Sequence, residues 1–219
     1  RRSAIAEKIS AIALLLFMSF FSFYPILLYA KLQTMKRLFV AVNLPEEIKE
    51  ALLSYQEAWA ELPGTWTKKE NLHATLAFLG NKSEQEEQEI RSILKKVAAK
   101  HAPFTMRISR IVYGPPQKTP LMIWAIGDAQ NEFLSLRRDI EKEFTASSGI
   151  RFEPKQEDAI VHFTLLRLDK WEFATIEEEE RPIVDEDIDL SFPVNSFELM
   201  ESRFGGSQYM VVESIPLGV

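Results

Sequence analysis

Two short runs of this sequence pair a histidine with a threonine two positions on, His73-Ala74-Thr75 and His162-Phe163-Thr164, and only one further histidine, His101, occurs in the chain. Imidazole gives or takes a proton near neutral pH, so two of them can supply a general acid and a general base to one reaction. Both copies lie in apolar, strand-like runs, NLHATLAFLG and IVHFTLLRL, and Leu follows Thr in each. Strand side chains alternate faces, so each His and its Thr project from the same side. Two such strands lying side by side would aim two imidazoles and two hydroxyls into one cleft, with the threonines holding an oxyanion between them.

Other chemistries fit these residues less well. A strand histidine can serve only the core or a structural hydrogen bond. Zinc wants three or four His, Cys or carboxylate ligands, and neither run offers a nearby carboxylate facing the same way. A serine-type triad lacks its Gly-x-Ser-x-Gly elbow, and no glycine-rich phosphate loop is present. The chain has no cysteine, which excludes a thiolate nucleophile and a disulfide framework and fits a reducing compartment.

The elements that would position the pair follow from periodicity. Lys36 to Asn43 reads as a first strand. Pro45 suits the first position of a helix whose Ile48, Leu52, Tyr55 and Trp59 form one apolar stripe. A short strand around Trp66 precedes the first His-x-Thr strand, which ends at Gly80. Ser83-Glu84-Gln85-Glu86 is a capping box opening a helix with Ile90, Leu94 and Val97 inward, and His101 at its end suits the helix dipole as a structural cation. Phe104 to Tyr113 and Leu121 to Ile126 make a hairpin across GPPQKTP. A third helix carries Phe133, Leu136, Ile140 and Phe144 and ends near Ser148-Gly149. The second His-x-Thr strand follows, then strands at Ile188 to Phe192, Phe197 to Ser202 and Tyr209 to Ile215. His162 lies 89 positions after His73, each in a strand, helix, strand setting, which suggests a duplicated architecture with facing lobes.

With 219 residues, 46% hydrophobic and 11% aromatic, the chain is an ordered globular protein. Its formal charge is −6, and the first 34 residues, with four Lys or Arg against one Glu, leave −9 on the rest. A protein that coats long nucleic acid would be basic, so any RNA role is local, at an end or a single nucleotide, with no extended binding surface. The acidic stretch from Glu177 to Asp189 reads as a solvated loop or strand edge. Ile9 to Ala30 is uncharged over 22 positions, a length that could span a bilayer. Residues 1–34 are therefore either a genuine hydrophobic anchor or a stretch upstream of a soluble domain that starts at Met35, and the domain proper is 35–219.

The runs MKRLFVAVNLPEEIKEAL, WTKKENLHATLAFLG and VHFTLLRL, with Gly206-Ser207-Gln208-Tyr209, resemble the two-histidine (2H) phosphoesterase superfamily, and within it the RNA 2′,3′-cyclic phosphodiesterases, also known as 2′-5′ RNA ligases. The resemblance covers Met35 to Gly218. It implies an α+β, bilobal fold of two pseudo-symmetric lobes, each with an antiparallel sheet and flanking helices, and a cleft between them. The implied activity is metal-independent and cofactor-free opening of 2′,3′-cyclic phosphate ends on RNA or nucleotides to 2′-phosphates, with reversible 2′-5′ ligation as a related reaction of the same groups. By similarity His162 is the base that activates water, His73 the acid toward the leaving oxygen, and Thr75 and Thr164 the donors to the phosphoryl oxygens. Arg167 matches an arginine that follows the second motif in relatives. Its offset of five from His162 puts it on the opposite face of a regular strand, so either the strand bulges or Arg167 is structural. Relatives commonly have a proline before the second histidine, where this chain has Ile160-Val161 after PKQEDA. Trp66, Lys68 and Tyr113 fall beside the expected cleft, with packing the simpler role for Trp66 and Tyr113. A cytoplasmic monomer is expected, or a membrane-anchored one if residues 9–30 are a true anchor. A phosphodiesterase for a small cyclic-phosphate metabolite and a non-catalytic nucleotide-binding module are the other functions the sequence admits.

Overall fold

Strand β1, Lys36–Asn43, alternates Leu38, Val40 and Val42 into the main core with Phe39 and Ala41 on its other face. It lies within a computed structural model that describes residues 35–117, 119–127, 131–147, 149–150, 152 and 160–218. Pro45 sits one position before helix α1, Glu46–Ser54, rather than at its first residue, and leaves Glu46 and Glu47 in the first turn. Ile48 and Leu52 are buried as the stripe requires, but the α-helix stops at Ser54, and a 3-10 turn, Glu57–Trp59, carries Trp59 inward.

Strand β2, Gly64–Trp66, is followed by β3, His73–Lys82, and then by helix α2, Glu84–Ala98. The capping box is formed: the Ser83 hydroxyl accepts from the Glu86 backbone N–H, while the Glu86 carboxylate accepts from the Ser83 N–H. Strands β4, Phe104–Gly114, and β5, Met122–Gly127, form the expected hairpin. Helix α3, Asn131–Ala146, buries Phe133, Leu136, Ile140 and Phe144 and packs against α2. Strand β6, His162–Leu168, a short helix α4, Lys170–Ala174, and strands β7, Asp185–Val194, β8, Ser196–Arg203, and β9, Gln208–Pro216, complete the chain.

All pairings are antiparallel, and they make two sheets, β3-β1-β8-β9 and β2-β6-β5-β4-β7. The fold is α+β, as expected, with one His-x-Thr strand in each sheet. The two halves are not consecutive segments, however. β8 returns to pair with β1 and carries β9 on its other edge, while β2 leaves the first motif's neighbourhood to flank β6. One continuous apolar cluster runs through both sheets and all three long helices. β3 and β6 therefore meet where the sheets adjoin rather than as hydrogen-bonded neighbours.

The acidic stretch accounts for itself as a sheet edge. β7 is the outermost strand, and its Asp185 and Asp189 pair with Arg110 at 2.6 Å and Arg107 at 2.9 Å on β4. His101 lies just past α2 and pairs with Asp139 of α3 at 2.9 Å, a structural contact tying two helices. Among the described residues no helix is long and apolar enough to cross a membrane. The apolar run at 9–30, the PKQEDA stretch at 154–159 and the helix stop at Ser148 lie outside the described residues.

Candidate active site

Both motif strands carry the same irregularity at the same place. Along β1 and β3, Ala41 pairs with Thr75 but Val40 pairs with Ala77, which leaves Leu76 as the extra residue of a bulge. Along β5 and β6, Trp124 pairs with Thr164 but Ile123 pairs with Leu166, which leaves Leu165 extra. A bulge puts two residues opposite one and resets the alternation of faces beyond it. The burial sequence from each histidine is consequently identical: His and Thr half-buried, then two consecutive buried residues, then an exposed one. That exposed position is Phe78 in β3 and Arg167 in β6.

The bulge resolves the position of Arg167. It restores the arginine to the face of His162 and Thr164, against the expectation for a regular strand. Its guanidinium Nη1 donates to Met122 Sδ at 3.7 Å, and the Thr164 hydroxyl donates to the same sulfur at 3.8 Å. Its positive field also reaches His73 on the other sheet. Thr75 and His162 line one cavity, with Ile160, Val161 and Arg137. The five residues singled out by sequence thus converge from two sheets.

Each imidazole is oriented by the same device. His73 Nδ1 lies 2.7 Å from the carbonyl oxygen of Asn71, and His162 Nδ1 lies 3.1 Å from that of Ile160, two residues earlier in both cases. A carbonyl only accepts, so Nδ1 carries the proton in both rings and Nε2 is the nitrogen through which each exchanges one. The rings are clamped differently. His73 meets Tyr209 edge-on at 5.1 Å and 86° and Phe39 at 5.0 Å, while His162 stacks on Trp124 at 4.0 Å and 15°. Burial, opposed by the Asn71 carbonyl and reinforced by the nearby Arg167 and His162 charges, lowers the His73 pKa to about 4. His73 is therefore neutral at pH 7 in the unliganded protein.

Sequence reading missed four residues that build this site. The buried Asn71 side chain donates to the Ser207 carbonyl at 3.0 Å and accepts from the Tyr209 N–H at 3.0 Å, fastening the Gly206-to-Tyr209 turn beside His73. Its partners lie 136 and 138 positions away, so only the adjacency of Asn71 to the motif was visible. Phe39 and Trp124 look like ordinary strand aromatics. Met122 accepts from Thr164, Arg167 and the Trp124 indole, the last at 3.3 Å. Of the cleft candidates, Tyr113 is structural: its hydroxyl donates to the Pro182 carbonyl at 2.9 Å, its ring lies against Phe173, and burial pushes its pKa up to about 12. Trp66 packs on the core opposite Leu166, and Lys68 precedes the 3-10 turn Lys69–Asn71. Among the described residues no group of three or more His, Asp or Glu gathers as a metal shell requires.

A pair of imidazoles, a pair of hydroxyls and a guanidinium at the junction of two antiparallel sheets are groups of the kind that acid–base chemistry on an anionic ester requires. The family description LigT like Phosphoesterase matches residues 42–124. The chain is 26% identical over 166 residues to the RNA 2′,3′-cyclic phosphodiesterase of Aquifex aeolicus, covering 74% of this chain and 87% of that one. It is 29% identical over 193 residues to the enzyme of that name from Thermus thermophilus, covering 83% and 90%. A crystal structure from Thermus thermophilus superposes with a TM-score of 0.69 at 27% identity, over 83% of this chain and 97% of that one. E. coli LigT complexed with 3′-AMP gives 0.65 at 25%, over 84% and 98%. These similarities support placing the chain among the LigT-like phosphoesterases of the two-histidine kind.

Proposed function

We propose that this protein hydrolyses the 2′,3′-cyclic phosphate at RNA ends to a 2′-phosphate, using its two histidines as the acid–base pair. The observation that carries the reading is the convergence of His73, Thr75, His162, Thr164 and Arg167 from two sheets, with Arg167 turned to the shared face by the bulge in β6. A strained cyclic phosphodiester needs a water deprotonated on one side of phosphorus and the departing 3′ oxygen protonated on the other. His162 Nε2 takes the proton from water, and His73 Nε2 delivers one to the leaving oxygen. Thr75, Thr164 and Arg167 donate to the non-bridging oxygens as charge builds there. These donors supply the neutralisation that a metal would otherwise provide, so the reaction proceeds in a chelator. The same groups serve a joining step in which a 5′-hydroxyl replaces water as the nucleophile, forming a 2′-5′ linkage and releasing the 3′-hydroxyl.

His73 reaches its acidic form through the substrate. The Arg167 field that helps hold it neutral is cancelled once a phosphate anion lies between them, and the anion itself favours the imidazolium. The relatives named RNA 2′,3′-cyclic phosphodiesterase and the 3′-AMP complex of E. coli LigT support the substrate class. The acidic net charge supports a substrate bound at its end rather than along its length.

The test is to incubate the protein with 2′,3′-cyclic AMP and with a short RNA bearing that terminus, in EDTA. A 2′-phosphate product that disappears in the His73→Ala, His162→Ala double variant is expected. Absence of product, or product undiminished in that variant, refutes the proposal. Much faster turnover of the mononucleotide than of RNA would reassign the substrate to a small cyclic-phosphate metabolite. Tight product binding without turnover would make the domain a nucleotide-binding module.

A further inference from the structure

We propose that Met122 is an oxidation site at which conversion to the sulfoxide blocks the phosphate-holding donors. Three donors from three residues converge on its one sulfur: the Trp124 indole N–H at 3.3 Å, Arg167 Nη1 at 3.7 Å and the Thr164 hydroxyl at 3.8 Å. A thioether is a weak acceptor. The arrangement therefore holds two groups of the phosphate cradle in place while surrendering them easily to a phosphoryl oxygen. The inference rests on the phosphodiesterase reading, in which Thr164 and Arg167 bind the phosphate.

Met122 opens β5 and is half-buried, so a small oxidant reaches it as it reaches the more exposed Met210, whereas Met106 and Met200 are buried to 1% and 2% exposure. Hydrogen peroxide transfers one oxygen to a sulfur lone pair. The S–O bond forms, the O–O bond breaks and water leaves, with sulfur oxidised by two electrons and the peroxide oxygen reduced. The product is polar, chiral and reversible by methionine sulfoxide reductases. Its oxygen is a far stronger acceptor than the sulfur and projects among the same three donors, where it competes with the substrate's phosphoryl oxygens. Trp124 also stacks on His162, so a change in the indole hydrogen bond is transmitted to that ring.

The test compares peroxide-treated and untreated protein, each variant against its own untreated rate. Treated wild type should lose about tenfold in kcat/KM, mostly through KM, which is less than the 10²- to 10³-fold cost of deleting an oxyanion donor. Peptide mass spectrometry should find an added oxygen on Met122 besides that on the exposed Met210, and the reductases should restore the rate. Met122→Leu, which has no sulfur, should keep most of its own rate after the same treatment. Equal losses in wild type and Met122→Leu, or full activity with Met122 oxidised, overturn the inference while leaving the phosphodiesterase reading intact. If untreated protein does not hydrolyse the substrate, that reading fails instead. A titration with 2′-AMP followed by tryptophan fluorescence then decides Met122 separately: weaker binding after oxidation in wild type alone supports it, and unchanged binding sinks it.

Discussion

With a pKa of about 4, His73 is protonated in only about one molecule in a thousand at pH 7, yet the proposed mechanism asks it to donate a proton. For half the complexes to carry the imidazolium at pH 7, bound substrate must raise that pKa by about three units, or about 4 kcal/mol. A single phosphate charge about 4 Å from the ring, at an effective dielectric near 20, supplies about 4 kcal/mol, so one anion suffices. Binding must then take up a proton. The clean experiment titrates 2′,3′-cyclic AMP, whose single phosphate charge does not itself change near neutral pH, into a His162→Ala variant that cannot turn it over. Calorimetry in two buffers of different ionisation enthalpy gives the number of protons absorbed. Uptake close to one near pH 5.5 and falling toward zero by about pH 8 is expected. Because the bound pKa lies above the free one, affinity is highest below about pH 4. It then weakens by about tenfold per pH unit until the bound value is passed. No uptake, with affinity flat between about pH 5 and 7, would refute this route and give the acid role to the other ring.

The remaining predictions concern the scaffold. The same low pKa makes His73 bind fewer protons folded than unfolded between about pH 6.5 and 4, so stability falls as pH drops through that window by up to about 3 kcal/mol; urea melts should show a shallower fall in His73→Gln. Gly114→Ala should impair catalysis without touching a reacting group, because the new Cβ would fall 2.2 Å from the Trp124 ring and push it against His162. A drop of about tenfold or more in kcat/KM, with about 1–3 kcal/mol of destabilisation, is the expected outcome, and unchanged kinetics would contradict it. Asn71→Ala leaves the Ser207 carbonyl and Tyr209 N–H without their partner at a cost of about 1–3 kcal/mol, and kcat should fall with it as Tyr209 leaves His73. Thr164→Val should lower kcat by about 10²- to 10³-fold at nearly unchanged stability, measured by single-turnover kinetics and thermal melts.

What the sequence made legible was local. Alternation placed β3 and β6, the spacing of Phe133, Leu136, Ile140 and Phe144 placed α3, and Ser83 with Glu86 marked the start of α2, because each signal is complete within a few residues. The repeated His-x-Thr-Leu pointed to the site for the same reason. What stayed hidden depends on pairing at long range. The bulges at Leu76 and Leu165 exist only relative to β1 and β5, so a strand considered alone left open whether Arg167 shares the face of His162. Asn71 looked like a strand-flanking polar residue until a turn more than a hundred positions later came to rest on it. The return of β8 to β1, with β9 on its edge, likewise has no local mark, so the repeated strand, helix, strand setting did not show which strands share a sheet.

That return also orders events during biosynthesis. When a ribosome has passed Leu168, both histidines have been made, but the sheet that seats His73 has only β1 and β3. Its other two strands, and the tyrosine that closes on the imidazole, are made only later, from Ser196 onward. A nascent chain therefore carries the reactive groups well before it can aim them, and competence arrives with the hairpin of β8 and β9.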